Sequence, residues 1–152
     1  MKSLISHIEF NVIDYQKSVI FYDLVFPYMG WEKINSTKEY TAYTDGMSKI
    51  ILTPTPKGFE QYGFHRKKPG LNHLAFYSPS MDRVKSFYTD VLKANDIRTL
   101  YEDGPSGDEK YYAVFFEDPD RLKLEYVFAP NYCDKNHWPN NLENDFDPNG
   151  DN

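Results

Sequence analysis

Two histidines in this chain share one local context. Ser6-His7-Ile8-Glu9-Phe10 stands near the start, and Asn72-His73-Leu74-Ala75-Phe76 stands near the middle. Fourteen residues beyond each histidine comes a Phe-Tyr pair, Phe21-Tyr22 and Phe87-Tyr88, and Val25 matches Val91 at the same offset without a gap. A module that keeps its histidine on duplication can bring two imidazoles to one pseudo-symmetric centre. Imidazole is a good ligand for first-row divalent ions. The third candidate is Glu125, a carboxylate inside the strand-like run Leu122–Val127. Burying a carboxylate costs several kcal/mol unless a partner or a cation meets it. Either histidine alone reads as a satisfied core or surface residue, but His7, His73 and Glu125 together form two imidazoles and one carboxylate, a set that leaves positions open for water or substrate. Such a set does not choose among Fe, Mn, Zn and Ni, because geometry and availability decide.

Strand alternation groups further residues with these three. His7, Glu9 and Asn11 point one way and Ile8, Phe10 and Val12 the other. His73, Ala75 and Tyr77 share a face, as do Lys123, Glu125 and Val127. Glu9 is placed to act as a base or to hydrogen-bond a metal-bound water, or else to pair with a nearby Lys or Arg. Tyr77 is placed to orient a substrate oxygen or act as an acid, against the alternative of simple packing. His65-Arg66-Lys67-Lys68 offers Arg66 as a clamp for a substrate anion, or else a solvated linker. His65 and His137 stand outside the repeat register and are not counted as ligands.

The elements that position these residues follow from periodicity. Residues 4–12 read as a strand. Asp14 caps a helix running through about residue 28. In the second copy Ser80 caps a helix whose stripe is Val84, Phe87, Tyr88, Val91 and Leu92. Strands are expected near 31–35, 38–44 and 47–53, with Asp45-Gly46 as a turn. Their counterparts are expected near 97–101, 110–116 and 121–128, with Glu117-Asp118-Pro119-Asp120 at the turn. The order is strand, helix and three strands, twice. Module 1 covers about 1–56, module 2 about 70–129, within a single domain over 1–130. Pro54, Pro56, Gly58, Pro69 and Gly70 mark the linker. An acidic Asn/Asp/Pro-rich tail covers 131–152.

The 152 residues carry a net charge of -6, of which the tail contributes -4. That balance argues against nucleic acid, which needs a basic face. Each half is too small to be comfortably stable alone, so two halves sharing an interface is the expected solution. Cys133 is a lone cysteine, so no intrachain disulfide forms. No signal peptide or membrane span is evident, and a cytoplasmic location is expected.

These residues resemble the vicinal oxygen chelate superfamily, which includes glyoxalase I, fosfomycin-resistance proteins, bleomycin-binding proteins and extradiol dioxygenases. The resemblance spans roughly residues 3–129. It rests on His7-Ile8-Glu9-Phe10-Asn11-Val12, Phe21-Tyr22, Gly70-Leu71-Asn72-His73-Leu74-Ala75-Phe76, and Phe116-Glu117-Asp118-Pro119-Asp120 leading to Glu125. It implies an α+β glyoxalase-like fold, with two βαβββ modules whose curled mixed sheets form a cup around a metal. It places ligands on the first and last strands of the modules, here His7, His73 and Glu125, and implies a homodimer. Aligning Lys49-Ile50-Ile51-Leu52 with Lys123-Leu124-Glu125-Tyr126, across a loop difference taken as three residues, sets Ile51 where a fourth ligand would stand. Isoleucine cannot move a proton, which argues against a true glyoxalase I. Arg121 stands where many relatives have glycine, as a substrate contact or a surface residue of the turn.

The expected function is a small divalent-metal-dependent enzyme. Its substrate is a small molecule that chelates the ion through adjacent oxygens, with extradiol-type dioxygenation as a subcase. The alternative is a non-catalytic small-molecule binding protein of the bleomycin-resistance type.

Overall fold

The computed structural model describes residues 5–132. Its internal contacts divide the chain into two compact units. Of the described residues, the first holds 5–72 with 118–122, and the second holds 73–117 with 123–132.

In the first unit, β1 (His7–Val12) leads into α1 (Tyr15–Val25), then β2 (Glu32–Ser36), β3 (Thr41–Thr44) and β4 (Lys49–Pro54). The sheet order is β1-β4-β3-β2, with β1 and β4 parallel and the other pairs antiparallel. Asp14 caps α1 as expected, its carboxylate accepting from the Lys17 N–H at 3.1 Å. The α-helix stops at Val25, short of the expected residue 28. Pro27 opens a separate 3₁₀ turn to Met29, and Gly30 ends it at φ 80°. Tyr22, Val25 and Phe26 are fully buried on the helix side of the sheet, with Tyr43, Ile50 and Leu52. The Tyr22, Phe26, Trp31 and Tyr43 rings contact one another there.

The second unit repeats the plan. Its elements are β5 (His73–Tyr77), α2 (Met81–Phe87), β6 (Ser106–Asp108), β7 (Tyr111–Glu117) and β8 (Lys123–Phe128), in sheet order β5-β8-β7-β6. Ser80 caps α2, accepting from the Arg83 N–H at 3.1 Å. The expected apolar stripe is buried at Val84, Phe87, Val91 and Leu92. The helix is not uniform, however. It passes into a π turn over Tyr88–Leu92 and a 3₁₀ turn over Lys93–Asn95.

Two expectations for this half are corrected. No strand forms at 97–101. Thr99 makes an isolated bridge to Phe116, and the first of the three strands after the helix lies later, at Ser106–Asp108. The loop difference is larger than three. Lys49 pairs with His7 in the first copy, and Lys123 holds the same place beside His73 in the second. Measured between those paired positions, the second copy has eight more residues between its first and last strands. Alternation could not reveal this, because Thr99–Gly104 is an irregular segment with Tyr101 at φ 71°.

No helix of the described residues is long and apolar enough to cross a membrane.

Candidate functional site

Each sheet has one face packed on its helix and one without a helix. Pairing sets His7 beside Lys49, Glu9 beside Ile51 and Asn11 beside Thr53 on that open face of the first sheet. On the second it sets His73 beside Lys123, Ala75 beside Glu125 and Tyr77 beside Val127. Ile51 is thus the counterpart of Glu125, as the alignment anticipated. The repeat also exchanges its acid between strands, since Glu9 corresponds to Ala75.

Glu125 is the best-defined group of the second unit. It is 1% exposed. Its Oε2 lies 3.1 Å from His73 Nε2, whose side chain remains 35% exposed. The Tyr111 hydroxyl donates to Oε1. Burial pushes the Tyr111 phenol above its ordinary pKa, and the hydrogen bond and charge of Glu125 add to the shift. A buried carboxylate therefore has an imidazole on one oxygen and a phenol on the other, which accounts for its toleration.

The pair also suits a metal ion. An imidazole nitrogen and a carboxylate oxygen converge there with 3.1 Å between them, donor types that a divalent ion takes. The Tyr111 hydroxyl is then an outer partner of the kind that orients a ligating carboxylate. Among the described residues no group of three or more His, Cys, Asp or Glu side chains is gathered as an ion would need. His73 and Glu125 form the two-donor part.

The other expected site residues are distributed as follows. His7 is exposed, its Nδ1 at 3.3 Å from Ser6 Oγ. Glu9 is exposed and accepts from Thr53 Oγ1 at 2.8 Å, so its partner is a hydroxyl rather than a Lys or Arg. Glu9 also lines a cavity of about 830 Å³ in the first unit, beside Phe10, Phe59, Phe64, Asp118 and Asp120; His7 is not part of its wall. Tyr77 is half-buried against Ala113, Val127 and Ala129. Arg66 lies half-buried in the linker, its carbonyl accepting from Asn72 Nδ2 at 3.4 Å.

Arg121 is exposed at φ 70° in the turn 118–122, a conformation suited to glycine. Asp118 organises that turn. Its Oδ1 accepts from the N–H of Asp120 at 2.9 Å and of Leu122 at 2.8 Å, and its Oδ2 accepts from the Tyr22 hydroxyl at 2.8 Å. Burial raises the Asp118 pKa to about 6 despite these donors. His137 and Cys133 lie outside the described residues, as does nearly all of the tail.

Sequence reasoning missed Tyr111 and the position of Lys123 directly beside His73. Alternation does put Lys123 on the Glu125 face. Tyr111 stands well before Glu125 in the chain, and only the pairing of β7 with β8 reveals its proximity.

Comparison with known proteins adds an independent line. The chain is 35% identical over 133 residues to YqjT of Bacillus subtilis (strain 168), an uncharacterized protein, covering 82% of this chain and 98% of that one. It is 28% identical over 123 residues to the metallothiol transferase FosB of Lysinibacillus sphaericus (strain C3-41), covering 80% and 79%. A crystal structure of a glyoxalase candidate from Bacillus halodurans superposes with a TM-score of 0.77 at 35% identity, covering 83% of this chain and 96% of that one. Residues 4–126 match the profile described as Glyoxalase/Bleomycin resistance protein/Dioxygenase superfamily.

Proposed function

This chain belongs to the glyoxalase/bleomycin resistance protein/dioxygenase superfamily, and from that premise we propose that it is a divalent-metal-dependent enzyme acting on a small molecule through two adjacent oxygens. The observation that carries the reading is the buried Glu125 carboxylate facing His73 Nε2 at 3.1 Å. His73 and Glu125 would hold the ion, with His7 as the third ligand supplied by the repeat. When bound, the ion offers Lewis acidity to a developing enolate- or alkoxide-like charge.

The chain's own residues then divide the remaining work. Tyr111 fixes the Glu125 carboxylate through its hydroxyl. Glu9, oriented by Thr53, takes up or returns a proton at its Oε2. Tyr77 orients a substrate oxygen, and Arg66 and Arg121 meet substrate anions. Ile51, the counterpart of Glu125, offers no second carboxylate, which argues against the glyoxalase I reaction. Likeness to a metallothiol transferase supports a metal-assisted group transfer, with dioxygenation as the competing subclass. The working unit is taken to be a homodimer, on family resemblance.

Elemental analysis of the protein as purified, and after dialysis against Mn(II), Zn(II) or Fe(II), tests the reading. About one ion per chain is expected, largely lost in His73→Ala. Protein that holds no stoichiometric ion after all three dialyses would sink the enzyme and promote the bleomycin-type binder. With metal bound, oxygen uptake with catechols assigns dioxygenation, and consumption of a thiol assigns transfer.

A further inference from the structure

Lys123 begins β8 two residues before Glu125, on the same face of the sheet and directly beside His73. It is 8% exposed. Its Nζ lies 5.4 Å from the Phe115 ring centre and 5.7 Å from that of Tyr101. Its hydrogen-bond partner is the Tyr101 hydroxyl, at 3.4 Å. Among the described residues it makes no ion pair, not even with Glu117, its register neighbour on β7. An ammonium has three donors, so two are unspent. Ring faces offset only part of the cost of taking an ammonium out of water.

The other copy supplies a control. Lys49 occupies the same register position, beside His7, and is exposed. The difference lies in the segment Thr99–Gly104, which belongs to the longer second copy. There Leu100 N–H donates to the Phe115 carbonyl at 2.8 Å, and Thr99 Oγ1 donates to the Glu102 carbonyl at 2.7 Å. Tyr101 is held between them in a left-handed conformation that non-glycine residues rarely adopt. Its ring meets Phe115 edge-on at 5.4 Å, yet the residue is 72% exposed. It is a roof with one side in water.

We propose that Lys123 is the specificity-determining residue of this site, its ammonium and the Tyr101 hydroxyl together holding the oxyanion of the substrate beside the His73–Glu125 pair. The substrate class is therefore a small molecule with a carboxylate or phosphoryl group next to its metal-chelating oxygens. That class rests on the metal-enzyme reading, whereas anion binding at Lys123 does not. A bound oxyanion accepts from the ammonium and from the Tyr101 hydroxyl, and the charge at β8 then has the partner it lacks.

The test uses the full-length chain with inorganic phosphate and, separately, acetate as probes, titrated calorimetrically into metal-free protein. Metal uptake is measured on separate aliquots of the same preparations after dialysis against the ion. Saturable binding in the millimolar range or tighter is expected, and the tighter probe names the preferred group. Lys123→Met is expected to weaken it by about tenfold or more and Lys123→Arg by no more than about threefold, with metal uptake unchanged in both. Native protein that binds neither probe saturably, or a Lys123→Met variant that binds as well as native, overturns the proposal. Should Lys123→Met fail to fold, Tyr101→Ala at its exposed position decides. A severalfold loss of affinity supports the proposal and an unchanged affinity refutes it. Loss of metal binding with anion binding intact refutes the metal reading alone.

Discussion

At the scale of single residues, the partners of Glu125 carry different consequences. His73 is partly exposed beside one carboxylate oxygen, whereas the Tyr111 hydroxyl donates to the other. Tyr111→Phe should leave Oε1 buried without a donor, at about 1–3 kcal/mol of stability. If the pair ligates metal, the same change should weaken metal affinity by about 10–100-fold. Denaturant unfolding and metal titration of one variant check both effects. A variant that loses stability and keeps full metal affinity would separate Tyr111 from the site. The chemistry at this scale was legible wherever a residue announces itself by type and register. His73 and Glu125 did so. Tyr111 did not, since one tyrosine among 13 has no signature until strand pairing sets its hydroxyl on Glu125.

At the scale of elements, the two helices end alike and are finished differently. Trp31 N–H closes on the Phe26 carbonyl at 3.0 Å, and Ile97 N–H closes on the Leu92 carbonyl at 2.8 Å. The left-handed residue before each is Gly30 at φ 80° and Asp96 at φ 54°. A Cβ at Gly30 would meet nothing within 4 Å, so substitution there costs backbone conformation alone. Gly30→Ala should destabilise by about 1 kcal/mol, and Asp96→Gly should stabilise by up to about 1 kcal/mol. Urea unfolding of the two variants tests the pair, and an equal sign for both would refute the argument. Capping and periodicity made these helices readable, down to Asp14 and Ser80. The missing strand at 97–101 was not readable, because its residues alternate acceptably while the backbone turns at Tyr101. Its hydrogen bonds go to a local turn and to β7, and no property of the residues alone distinguishes that from a ladder.

At the scale of the whole molecule, stability should carry the mark of one buried acid. Asp118 binds its proton more tightly in the folded protein, with a pKa of about 6, than at its ordinary value of 3.8. Between those values the fold holds a proton that the unfolded chain has released, so the proton favours folding. That stabilisation is lost as pH rises from about 4 through about 6, by about 2–3 kcal/mol for this group. Asp118→Asn can keep an acceptor for the Asp120 and Leu122 N–H groups and present a donor to the Tyr22 oxygen. The difference between native and variant unfolding free energies should change across pH 4–6 and be flat above it. A flat difference throughout would show that Asp118 titrates normally.

The repeat made this architecture visible from His7 and His73 and their matched surroundings, and it also marks where the copies diverge. The eight additional residues fall between elements, never inside a strand that carries a donor. Which side of a sheet a residue faces depends on the parity of its position within the strand, and a loop can grow or shrink without disturbing that parity. On the proposed reading, recognition and ion binding are therefore separable traits in this chain. A library confined to residues 98–104 would vary the roof over Lys123 and leave His73, Tyr111 and Glu125 in register, giving evolution, natural or directed, a place to change what is selected while conserving the chemistry beneath it.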